Sequence, residues 1–198
     1  MAEFIFMLTH HDATVSNALE VYETLRDSAL RHAGFKDVGL PIDALRALAR
    51  RMREDGRTSY LEVVSTSEDD ELRSIRAARE IGVDVVMGGT HPDAAVPLLA
   101  GSGIRYYPFP GRVVGHPSVL EGTPEEISAS AADLSSRPGV DGLDLLAYRH
   151  VGDVPAIIRG VVDVAAGPVV VAGSIDSAER IAAVTALGAW GFTIGGAV

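Results

Sequence analysis

A chain of 198 residues, 47% hydrophobic and 22% charged, has the size and composition of one globular domain with a substantial core, which excludes a disordered or fibrous segment. Its formal charge of −10 argues against a broad surface for nucleic acid or anionic membrane, yet is compatible with a small anion cradled by backbone N–H groups. With no cysteine, disulfides, zinc–thiolate centres and cysteine nucleophiles are all excluded.

The N-terminal segment Met-Ala-Glu-Phe-Ile-Phe-Met-Leu-Thr has no basic region, and its apolar run is too short for a signal peptide or a membrane span. A cytoplasmic protein with no membrane partner is expected. The first predicted strand is Phe4–Thr9; Val15, Ala18, Leu19, Tyr22 and Leu25 follow at helical spacing. The second strand is Gly34–Gly39, after which Pro41 suits the first position of a helix carrying Leu45, Leu48 and Met52. The third strand is Ser59–Ser65, and Glu68, Asp69, Asp70 and Glu71 read as an acidic first turn complementing a helix dipole. Strands four and five are Val83–Gly88 and Ile104–Phe109, and the longest irregular stretch, Pro110–Gly122, comes next. Thr123-Pro124-Glu125-Glu126 has the form of a capping box with proline at the first helical position, opening a helix with Ile127, Ala131 and Leu134. Gly142–Tyr148 and Pro168–Ala172 are strands six and seven; a helix then runs from Ser177 towards Gly188, and strand eight is Gly191–Gly195.

Successive strands begin between 21 and 38 residues apart, the rhythm of parallel βαβ units. Eight strands with seven connecting helices predict an α/β fold, a (βα)8 TIM barrel forming a single domain over residues 1–198. An open doubly wound sheet fits less well, because Leu8-Thr9-His10-His11-Asp12 stands where its glycine fingerprint would be. The helix expected after strand eight is absent from the given sequence, and a second subunit of a homo-oligomer is one way to cover the apolar face this leaves.

Two late segments end strands in glycine. In Gly167-Pro168-Val169-Val170-Val171-Ala172-Gly173-Ser174 a buried strand ends in Ala-Gly-Ser. In Leu187-Gly188-Ala189-Trp190-Gly191-Phe192-Thr193-Ile194-Gly195-Gly196-Ala197 it ends in Gly-Gly. Loops seven and eight are the common phosphate site of such barrels, although glycine also serves tight βα turns that bind nothing. Over residues 167–197 the chain resembles the ribulose-phosphate-binding class of (βα)8 barrels, which includes phosphosugar epimerases, isomerases, decarboxylases and aldolases. The resemblance implies a small phosphorylated metabolite as partner, with Gly173, Ser174, Gly195 and Gly196 as phosphate-binding positions. No cofactor is expected.

Catalytic groups of a barrel come from the C-terminal ends of its strands. Lys36 is the only lysine beside sixteen arginines, and it interrupts an apolar strand. Glu62 does the same on the neighbouring strand, so the two are expected to be partners, since a buried charge is costly unless paired. Asp144 is a third ionisable group in an apolar context. These three are the catalytic candidates, while the bland alternative for Lys36 and Glu62 is a structural ion pair. His10, Arg149 and His150 are candidates for substrate binding; His116, in the long loop, is a weaker one. No carboxylates and histidines are spaced to complete a metal site, so no metal is expected. The favoured reading is an enzyme that transfers a proton in an isomerase or epimerase, with Lys36 stabilising an enediolate oxygen. Alternatives are a Schiff-base aldolase using Lys36, although known Schiff-base barrels usually carry that lysine on a later strand, and a non-catalytic barrel that senses a phosphorylated ligand.

Overall fold

Each of the eight predicted strands forms, and each is short because a barrel stave crosses the core only once. The computed structural model describes residues 2–65, 67–115 and 117–196. Its main sheet contains β1 (Glu3–Met7), β2 (His32–Lys36), β3 (Thr58–Val63), β4 (Val85–Gly88), β5 (Arg105–Tyr107), β6 (Leu143–Leu145), β7 (Val169–Val171) and β8 (Gly191–Ile194). All paired neighbours are parallel, in the order β6-β7-β8-β1-β2-β3-β4-β5. The two ends of that order approach each other. Asp141 N–H donates to the Tyr106 carbonyl at 2.9 Å and Asp144 N–H to the Pro108 carbonyl at 3.0 Å, which brings β5 and β6 together. The result is a nearly closed (βα)8 barrel.

Seven helices alternate with the strands: α1 (Ala18–Thr24), α2 (Ile42–Glu54), α3 (Glu68–Ile81), α4 (Pro92–Leu99), α5 (Pro124–Ser135), α6 (Val154–Val164) and α7 (Ala178–Ala186). Parallel strands covered on both faces need apolar side chains on both. Phe35, Leu61, Val63 and Val86 accordingly pack with Leu45, Leu48, Ile75 and Ala78 of α2 and α3. On the other half, Leu143, Leu145, Val169 and Val171 pack with Ile127, Ile157, Val161 and Val184. Ile5, Met7, Tyr60, Val85, Met87, Tyr107 and Val170 form a separate cluster that fills the barrel interior. Each large apolar side chain so buried contributes roughly 1.5–3 kcal/mol. That outweighs the ~0.7 kcal/mol range of helix propensity per residue, so packing decides where the helices lie.

The capping box is present as read: Thr123 Oγ1 accepts from Glu126 N–H at 3.2 Å, and Glu126 Oε2 from Thr123 N–H at 2.8 Å. Several boundaries differ from the sequence reading. Pro41 sits one residue earlier than expected, at the N-cap of α2. The sixth strand stops at Leu145, and Ala147–Arg149 form a 3-10 turn; Leu146 and Ala147 remain buried, so the apolar run outlasts the strand. The second strand leaves the sheet after Lys36, where Thr14 N–H takes the Val38 carbonyl at 2.9 Å. The long stretch after β5 contains an antiparallel ribbon, Arg112–Val114 with Val119–Glu121. Glu71 belongs to the acidic first turn of α3, as read from the sequence, but it does not face solvent. It is fully buried and accepts from Thr90 N–H at 2.8 Å, His91 N–H at 3.0 Å and His91 Nδ1 at 2.7 Å, pinning the loop between β4 and α4.

Candidate functional site

β2 ends at Lys36, and Glu62 of β3 is its register partner. Lys36 is only 5% exposed. Its Nζ lies 2.6 Å from Asp12 Oδ1 and 3.5 Å from Glu62 Oε2. Burial alone pulls the lysine pKa down; the Glu62 charge and then the Asp12 hydrogen bond and charge more than offset it, and the net shift is upward. The amine is therefore held as an ammonium.

Asp12 reaches Lys36 from a miniature hairpin. Thr9–His10 pairs with Ala13–Thr14, leaving His11 and Asp12 as a two-residue turn. Their φ angles are 47° and 59°, in the left-handed region that such hairpin turns demand and that usually falls to asparagine and glycine. Side chains at such angles cost of order 1 kcal/mol each. Reciprocal hydrogen bonds anchor the hairpin: Thr14 Oγ1 donates to the Lys36 carbonyl at 2.7 Å and accepts from Lys36 N–H at 2.9 Å.

Asp144, on β6, has no solvent exposure, and neither carboxyl oxygen has a hydrogen-bond partner among the described residues. Burial first, and then repulsion from Glu62, push its pKa well above the usual carboxylate range, with Lys36 opposing. It lies beneath the cleft and does not line it.

A cleft of about 390 Å³ opens above these groups and is lined by Asp12, Lys36, Glu62, His10, His11, Arg149, Gly173, Ser174, Gly195 and Gly196, among others. The glycines matter through space. A Cβ on Gly195 would stand 2.5 Å from Thr9 Oγ1, one on Gly196 3.0 Å from His10 Nδ1, and one on Gly173 3.0 Å from Arg149 Nε. Gly173 and Ser174 both adopt positive φ, 76° and 56°, which turns the chain sharply after β7. Arg149 Nε is buried without a hydrogen-bond partner among the described residues, and its guanidinium forms no ion pair there.

Of the residues singled out from sequence, Lys36, Glu62, His10, Arg149, Gly173, Ser174, Gly195 and Gly196 thus share one cleft. His150 stands apart from it. Its Nε2 is 2.8 Å from the Gly122 carbonyl and its Nδ1 accepts from Gly152 N–H at 2.7 Å, so it braces two loops. His116 lies outside the described residues. Asp12 is the site member that strand-by-strand reading undervalued: it stands beyond the first strand, and nothing in its local pattern signals a turn folding back onto Lys36. Among the described residues no group of three or more His, Asp or Glu side chains is gathered in a metal-binding array.

No protein-family model matches the chain, and no curated protein does. Solved structures are similar to it. A cube-shaped, highly porous protein cage, designed by fusing symmetric oligomeric domains, matches at a TM-score of 0.69 and 14% identity over 99% of this chain, which spans 64% of the cage chain. The glycerol uptake operon antiterminator regulatory protein from Listeria monocytogenes str. 4b F2365 matches at 0.65 and 15% identity, covering 98% of this chain and 91% of that one. The YdjI aldolase from Escherichia coli K12 matches at 0.65 and 17%, covering 98% and 75%. At such identities the likeness is one of fold, and the fold it establishes for this chain is the (βα)8 barrel.

Proposed function

We propose that this barrel is an enzyme acting on a small phosphorylated sugar or other phosphorylated carbonyl compound, by proton transfer beside the carbonyl. One observation carries the reading: the Lys36–Glu62 pair and the glycine turns after β7 and β8 line a single cleft. Backbone amides at Gly173, Ser174, Gly195 and Gly196 would take the phosphate, with the Arg149 guanidinium, which has no ion pair among the described residues, beside Gly173. Glu62 removes a proton from the carbon next to the carbonyl, and the Lys36 ammonium stabilises the oxygen that becomes the enediolate. Return of the proton to the adjacent carbon gives an isomerase; protonation of the original carbon from the opposite face, by a second acid, gives an epimerase. The resemblance of residues 167–197 to ribulose-phosphate-binding barrels is consistent with this chemistry.

An aldolase working through a Lys36 Schiff base needs the neutral amine as nucleophile. The upward shift of Lys36 opposes that form, so the lysine suits electrostatic stabilisation better. Turnover assays on phosphorylated ketoses and aldoses, with borohydride trapping read by intact mass, separate the readings. Proton transfer predicts turnover without a covalent adduct, and Lys36→Ala should lower kcat/KM by roughly 10²–10³, the usual cost of one oxyanion donor. Full activity in Lys36→Ala would refute both catalytic versions. An adduct at Lys36 would establish the aldolase, and binding without turnover in any assay would leave a ligand sensor.

A further inference from the structure

Asp144 is a buried acid to which the chemistry proposed above gives no task. Strand alternation fixes where it points. Leu143 and Leu145 pack outward against the helices, so the residue between them faces the barrel interior. Its register partner on β7, Val170, belongs to the interior cluster with Met87 and Tyr107. Met87 is in turn the register partner of Glu62, which places both carboxyl groups in one interior, on staves β3 and β6.

Both oxygens of Asp144 lack a hydrogen-bond partner among the described residues. A carboxyl group buried in that state is costly, and far more so as an anion than as the neutral acid. Leucine would fill the same place without that cost, so the acid calls for a reason. Glu62 faces it from β3, Lys36 from β2 with Asp12 beside the ammonium, and Tyr107 from β5. Burial first and then the Glu62 charge favour the neutral form of Asp144, with Lys36 opposing. Burial pushes Tyr107 up as well, so the phenol stays neutral.

Granted the function proposed above, we propose that Asp144 is a positioning residue: it keeps a proton while Glu62 is ionised, so that the enediolate forms beside one barrel-interior carboxylate and not two. Glu62 takes the substrate proton, Lys36 meets the oxygen that becomes negative, and Asp144 retains its own proton throughout. Ionised, Asp144 would add an anion to a buried interior, weaken the field of the ammonium and disfavour the anionic transition state. Acting through that field, it needs no contact with substrate, in keeping with its place beneath the cleft.

Carbon-13 NMR of protein labelled at the aspartate carboxyl carbons tests this, with Asp144→Asn assigning the signal. At pH 7 the Asp144 carboxyl should still stand at its protonated position, where ordinary aspartates have ionised. In turnover assays on the phosphorylated ketoses and aldoses, kcat/KM should fall at least tenfold as pH rises through the midpoint of that signal. Lys36 does not cause such a fall below its own raised range. In Asp144→Asn the fall should shrink below threefold, whereas a fall due to His10 or His11, which also line the cleft, would persist unchanged and refute the assignment. A spectrum with no aspartate protonated at pH 7 overturns the inference alone, with no variant needed. So does an Asp144 signal that ionises while kcat/KM of the unaltered protein holds steady. Absence of turnover with every phosphorylated ketose and aldose would take the proposed function down with it.

Discussion

Lys36 keeps its charge in a place where burial alone would remove it, because two carboxylates lie within 3.5 Å of its ammonium. Asp144 has the opposite fate: it sits deeper, with no hydrogen-bond partner among the described residues, and burial favours its neutral form. The two make opposite use of one interior field. In the unfolded chain Asp144 loses its proton near pH 4, whereas the folded barrel holds that proton to higher pH. The folded state then binds more protons over this window, so the stability Asp144 contributes falls as pH rises above about 4. Asp144→Asn removes the dependence. Denaturant unfolding should find the variant at least as stable as the parent at pH 7, with the difference shrinking towards pH 4. A loss of several kcal/mol at pH 7 would mean that the ionised carboxylate is needed in the fold.

Two helix beginnings illustrate how differently elements use acidic residues. At α5 the Thr123–Glu126 box lies on the surface and satisfies otherwise orphaned N–H groups, so Thr123→Ala should cost about 1 kcal/mol. At α3, Ser67 caps the helix while Glu71, one turn in, holds two backbone N–H groups and the His91 ring from inside the protein. Gly89 makes room for it, since a Cβ there would stand 2.5 Å from Glu71 Oε1. Glu71→Ala strands those partly buried donors and should cost roughly 1–3 kcal/mol for each donor left unsatisfied. Thermal unfolding of the two variants side by side checks the contrast; equal losses would mean that the Glu71 contacts contribute no more than a surface cap. The capping box was legible because its signature is local. The role of Glu71 was not, because its partners lie 19 and 20 residues away, beyond the next strand.

At the scale of the molecule, the barrel interior joins side chains from β1, β3, β4, β5 and β7 in one cluster, and backbone hydrogen bonds bring β5 and β6 together. No element can leave without exposing its neighbours, and we propose that residues 1–198 fold as a single domain. Unfolding in urea should be one transition, coincident when followed by Trp190 fluorescence and by far-ultraviolet circular dichroism; two separated transitions would refute it. The eight strands, the βα order and the glycine turns after β7 and β8 could be read from residue order, because apolar runs, helical periodicity and turn chemistry act within a few residues. The pairing of Lys36 with Glu62 could be anticipated for a related reason, since neighbouring staves of a parallel barrel are successive in the chain. What the tertiary structure alone decided was which groups meet across the barrel. Asp12 folds back 24 residues onto Lys36, Asp144 comes within reach of the Glu62 charge, Arg149 reaches the Gly173 turn, and His150 turns away to brace Gly122. Those meetings depend on barrel closure and loop path, and closure is a long-range balance of burial and charge that no local window of sequence contains.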